Sequence, residues 1–94
     1  MIDLTQFKIT PKEISTEIVK NVRIRRKEAK LTQEQLSKKS GVSLGSIKRF
    51  ERTGEIALTS LIKISVALGC QEDFLQLFVK KQYRSIQEII DEQA

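Results

Sequence analysis

The 94-residue chain contains no histidine and a single cysteine, Cys70. One cysteine excludes an internal disulfide. The same shortage excludes a zinc finger and, within one chain, Cys/His or Ser/His catalysis. Beside the apolar stretch that ends at Leu68-Gly69, Cys70 is most simply a buried small side chain. Aromatics are also few, four Phe and one Tyr, and most read as core, so base-stacking on exposed rings is not available for single-stranded RNA. No run approaches the roughly 20 apolar residues that span a bilayer. Residues 1–9 lack the charged start and apolar run of a secretory signal, so a cytoplasmic location is expected. No phosphate-cradling glycine loop is present, and the short chain cannot hold both its own core and a large substrate pocket, so no cofactor or catalytic site is expected. The acidic pair Glu72-Asp73 falls where a helix would begin, and carboxylates there offset the helix dipole rather than suggest acid–base work.

What the chain has is basic charge, unevenly placed. The formal net charge is +5. Between Lys20 and Arg52 eleven Lys/Arg face three acids, a local +8, while the remainder holds six bases and nine acids, or −3. Such asymmetry suits one basic face presented to a polyanion. A merely solvated charged surface is the alternative, and position within a motif has to decide.

Helical periodicity runs through most of the chain, and β-alternation nowhere persists. Thr10-Pro11-Lys12-Glu13 reads as a cap, a proline at the first helical position and a returning Glu. A first helix to about Ala29 follows, with Ile14, Ile18, Val22 and Ala29 as its apolar stripe and Val19 and Ile24 off it. Thr32-Gln33-Glu34-Gln35 is a second capping box, opening a helix that Gly41 stops. Ser43 caps the third, which turns Ile47 and Phe50 inward and ends at Thr53-Gly54. Ala57 to Leu68 reads as a fourth helix with Leu58, Leu61, Ile64 and Ala67 or Leu68 buried. Phe74, Leu75 and Phe78 read as a short fifth helix closing the core, and Ser85 to Glu88 as one more capping box. Residues 1–9 then form an arm, extended or disordered, residues 10–80 the domain, and 81–94 a C-terminal segment. The expected fold is all-α, five helices with a short C-terminal helix or tail.

The informative stretch is QEQLSKKSGVSLGSIKRFER, Gln33 to Arg52. Leu36, Val42, Ile47 and Phe50 point into the angle between two short helices, a pattern that a generic helical hairpin also shows. Leu31-Thr32-Gln33, Gly41-Val42-Ser43, Ser46-Ile47, Glu51, Gly54 and Ala67-Leu68-Gly69 together resemble the XRE family of helix-turn-helix regulators, which includes phage Cro and the lambdoid repressors. The resemblance covers about residues 18–78, with the two-helix motif at 32–53, and implies a lambda-repressor-like domain that binds double-stranded DNA and represses transcription. Three departures from the family pattern stand out. Ser37 replaces the usual Ala between the two helices, Ala57 replaces a capping Ser or Thr, and Leu44-Gly45 replaces positions that are often polar.

Carried over by position, Ser43, Leu44, Gly45, Lys48 and Arg49 face the bases. Arg49 has the donor fork for guanine O6 and N7, Lys48 a point charge for guanine or phosphate, and Leu44 a surface for a thymine methyl. Thr32, Gln33, Ser46 and Arg52 are phosphate positions, although Thr32 also reads simply as a cap. Arg26 and Glu51 correspond to a structural ion pair. Homodimerisation on an inverted repeat is expected, through Tyr83, Ile86, Ile89 and Ile90, the apolar residues left once the core is filled. Within the family the chain looks most like HipB-type antitoxins, which bind a HipA-type toxin kinase. The arm from Met1 to Ile9 and the acidic end at Glu88, Asp91 and Glu92 would be candidate surfaces for that kinase. A stand-alone repressor, and an interaction module that has lost DNA binding, are the competing readings.

Overall fold

The computed structural model describes residues 9–79 and 90–91. Five helices occupy them: α1 Pro11–Glu28, α2 Gln33–Ser40, α3 Leu44–Thr53, α4 Leu58–Ala67 and α5 Glu72–Leu75. No strand occurs among the described residues, and the fold is all-α.

Local chemistry sets most of the helix ends. Thr10 accepts the amide of Glu13 at 3.1 Å. The returning bond from the Glu13 side chain is not made; Thr10 and Pro11 start α1 without it. At α2 both halves of the box form: the Thr32 hydroxyl accepts from the Gln35 amide at 3.1 Å, and the Gln35 carboxamide accepts from the Thr32 amide at 2.8 Å. Gly41 and Gly54 stop α2 and α3 at φ +77° and +80°. These left-handed conformations are ones that a residue with a Cβ enters only at a cost. Ala57 gives α4 no side-chain cap.

Leu36, Val42, Ile47, Ile64 and Ala67 form the buried core, with Val22, Leu31, Ile56 and Leu68 packed around it. Phe50 is also buried. The core therefore lies where α2, α3 and α4 meet, and α1 packs on α3 from outside. Ser37 fits the crowded angle between α2 and α3, and its hydroxyl donates to the Val42 carbonyl at 2.6 Å, tying the turn to the helix before it.

Further sequence expectations are corrected. On α1 the buried apolar residue is Val19, whereas Ile14 and Ile18 are 49% and 41% exposed. The inward face runs through Val19, the expected Val22 and the buried Arg26, so a charged member breaks the stripe that hydrophobicity alone would draw. On α4, Leu58 is 62% exposed: it stands in the first turn, where the core does not reach it. The fifth helix does not close the core. It is one turn long, Phe74 is half-buried, and Leu75 and Phe78 are 70% and 95% exposed, with Phe78 at φ +62°. An open apolar groove of about 250 Å³ remains between α1, α4 and α5, lined among others by Ile18, Val22, Leu61, Leu68, Phe74 and Leu77. Cys70, on its rim, is half-buried rather than enclosed. Tyr83, Ile86, Ile89 and the Ser85–Glu88 box lie outside the described residues, as does the arm before Ile9. Ile90 is 51% exposed.

Candidate nucleic-acid interface

α3 has two faces of opposite character. A helix advances about 100° per residue, so Ile47, Phe50 and Glu51 fall on one side, and Gly45, Lys48, Arg49 and Arg52 on the other. The burial agrees. Ile47 is 0% and Phe50 2% exposed, while Gly45, Lys48, Arg49 and Arg52 are all exposed. Three cations thus share the solvent face of a ten-residue helix whose other face is locked into the core.

The lock is partly ionic. Arg26 of α1 donates through Nε and Nη2 to the two Glu51 oxygens, each at 2.9 Å, and through Nη1 to the Leu31 carbonyl at 3.0 Å. The side chains are 10% and 6% exposed. Glu51 also accepts from Gln33 Nε2 at 3.2 Å, and Arg23 Nε lies 3.5 Å from the same oxygen. One carboxylate therefore joins α1, the start of α2 and the end of α3. A buried, two-pronged pair of this kind fixes orientation more surely than it adds net stability.

The remaining site positions divide clearly. Ser43 is exposed, and its Oγ accepts the Ser46 amide at 3.1 Å and donates to the Ser46 hydroxyl at 2.8 Å, so both serines are engaged in the cap of α3. Leu44 is half-buried and Gly45 presents backbone only. Thr32 is committed to the α2 cap. Gln33 is half-buried and turned inward to Glu51; only its backbone amide, which lacks an intrahelical acceptor, is available to an anion. The Arg52 side chain makes no hydrogen bond or ion pair with any described residue, and lines a hollow with Lys12 and Thr16 of α1. Arg49 is not free. Its Nη2 donates to Glu55 Oε2 at 2.6 Å, in a pair whose side chains are 63% and 67% exposed.

Sequence reasoning did not find Glu55, Arg23 or the inward turn of Gln33. The i, i+6 spacing of Arg49 and Glu55 matches no helical pairing rule, and the contact exists because Gly54 reverses the chain between them.

The helix-turn-helix family model HTH_3 matches residues 22–75, more than half of the chain. The chain belongs to this helix-turn-helix family. It is a family of DNA-binding transcription regulators, and the match takes in the last turns of α1 and all of α2, α3, α4 and α5. No curated protein and no solved structure gives a match. In helix-turn-helix terms α2 is the helix that crosses the backbone and α3 the one that enters the major groove. No described helix is long and apolar enough to cross a membrane.

Proposed function

We propose that this protein is a sequence-specific repressor that binds an inverted repeat in duplex DNA as a homodimer, laying the outer face of α3 in the major groove. The observation that carries the reading is the placement of Lys48, Arg49 and Arg52 on the one face of α3 that the core leaves open, in a chain of this family. Arg49 reads guanine through its donor fork, and Lys48 supports it as a base or phosphate contact. Leu44, half-buried at the start of α3, offers a thymine methyl a small apolar surface, and Gly45 admits close approach of the backbone. Arg52, the unpaired Gln33 amide and the helix start at Thr32 hold phosphates, with Ser43 and Ser46 presenting their cap edge to the same strand. The buried Arg26–Glu51 pair sets the angle at which α3 is offered.

Dimerisation is supported by apolar surface that one copy does not use. Leu75, Leu77, Phe78 and Val79 are exposed in succession at the end of the domain, continuous in sequence with the segment carrying Tyr83, Ile86, Ile89 and Ile90. Two reading helices also bring specific affinity into the usual range, which one helix with few base contacts does not.

The test is binding to a specific and a random duplex across a salt series. Strong salt dependence is expected on both, because each neutralised phosphate releases counterions. Arg52→Ala weakens both complexes alike, and Arg49→Ala relaxes preference at one or two base positions. Absence of duplex binding at low salt would sink the reading and leave an interaction module. The narrower role, an antitoxin that represses its own operon and binds a HipA-type kinase in the cytoplasm, rests on the resemblance within the family. Co-expression with the product of the neighbouring gene decides it: a stable complex that still binds DNA supports it, and no complex leaves a stand-alone repressor.

A further inference from the structure

We infer that Glu55 is a specificity-determining residue, which holds the Arg49 guanidinium in the orientation that meets a base edge; this rests on the DNA-binding reading above. Arg49 stands on the outer face of α3, and its side chain would otherwise sample many rotamers in water. Glu55 accepts from only one nitrogen, Nη2, at 2.6 Å. A guanidinium has five N–H donors in a rigid fork, so one bond to a carboxylate restrains the group and leaves the other end of the fork open.

Glu55 itself is held in place. The Thr53 hydroxyl donates to the Arg49 carbonyl at 2.7 Å and accepts the Glu55 amide at 3.1 Å. Gly54, in the left-handed conformation at φ +80°, supplies the reversal between them. The arginine backbone, the threonine hydroxyl, the glutamate backbone and the two charged side chains thus close a ring at the end of the reading helix. Ser46, Arg49 and Glu55 line one hollow with Ile56, Ala57 and Ser60, so the pair borders a surface shared by α3 and the start of α4.

Positioning has a signature that plain charge does not. Glu55 is an anion beside a surface built for phosphate, so its loss raises affinity for any duplex. If it positions Arg49, its loss also lowers discrimination at the base pair Arg49 reads. Affinity and selectivity then move in opposite directions.

The experiment starts by selecting a preferred duplex from a randomised pool with the full-length protein. Binding is next measured on that duplex, on its single-base variants and on random duplex, for wild type, Glu55→Ala, Glu55→Gln and both changes in an Arg49→Ala background. Thermal melting checks that each variant is folded. Glu55→Ala is expected to raise random-duplex binding and to cut discrimination at one base pair by up to about fivefold, the upper range for an exposed ion pair. Glu55→Gln, which keeps an acceptor, retains part of that discrimination. In the Arg49→Ala background neither change alters base preference. Unchanged or sharper discrimination in Glu55→Ala overturns the inference, as does an effect that persists without Arg49. Failure of the wild type to select any duplex overturns the DNA-binding reading instead, so the two failures are distinguishable.

Discussion

Opposite faces of α3 carry the same chemical pair in two environments. On the inner face Arg26 and Glu51 meet through two 2.9 Å bonds with side chains 10% and 6% exposed. On the outer face Arg49 and Glu55 meet through one 2.6 Å bond with side chains 63% and 67% exposed. The shorter bond is the weaker tie. Water solvates the outer partners when they part, whereas the inner partners have nowhere else to place their charge. One pair therefore serves the fold and the other is free to serve a ligand. Burial, not distance, separates the two roles.

Removing Glu51 gives the largest effect expected of that contrast. Glu51→Ala leaves Arg26 buried and unpaired, at a cost of about 3–5 kcal/mol, a large share of the stability of so small a domain. A chemical denaturation curve measures it; a loss below about 1 kcal/mol would put the inner pair in the same class as the outer one. Next, Arg49→Ala should reduce discrimination at its base pair by about 1–3 kcal/mol while changing the melting temperature little. A substantial melting shift would show that the outer pair holds the fold as well. Gly54→Ala should cost about 1–2 kcal/mol from φ +80° alone, with a further penalty because the new Cβ would stand 3.0 Å from the Ser15 Cβ. Gly41→Ala meets no atom within 4 Å and should pay only the backbone cost, so equal losses would contradict the tight seat of the α3 end on α1. The smallest effect is on the outer pair itself: Glu55→Ala should change folding stability by less than about 0.5 kcal/mol. Separately, truncation after Gln82 should convert a dimer to monomer in a sedimentation experiment, and a dimer that persists would place the interface elsewhere.

The limits of sequence reading follow the same division. Helix starts at Thr10, Thr32 and Ser43, and stops at Gly41 and Gly54, are visible in the chain because each is a local interaction across three or four residues. The inward set of α2, α3 and the turn between them, Leu36, Val42, Ile47 and Phe50, is visible because apolar side chains dominate it. α1 misleads for the converse reason: its contact with α3 includes Arg26, so counting hydrophobic residues puts Ile14 and Ile18 where Val19 belongs. At α5 a run containing Phe74, Leu75 and Phe78 promises closure, yet the helix ends at Leu75 and Phe78 turns out to water. The 25-residue separation of Arg26 and Glu51 carries no local signal, and only family resemblance proposes it. Glu55 has neither a local signal nor a place in the motif, since a reversal at Gly54 creates its contact.

Gly45 has a consequence of another kind. It lies in the first turn of α3, exposed, and a Cβ built there would touch nothing within 4 Å. Any ordinary side chain at this position would favour the helix by up to about 1 kcal/mol. In a DNA reader, the position is a blank letter on the reading helix. On the DNA-binding reading proposed above, Asn, Gln or Ser there would place a new donor or acceptor on the outer face of α3 without asking any neighbour to change. A single substitution at this position would then change the preferred operator while leaving the fold intact or slightly more stable.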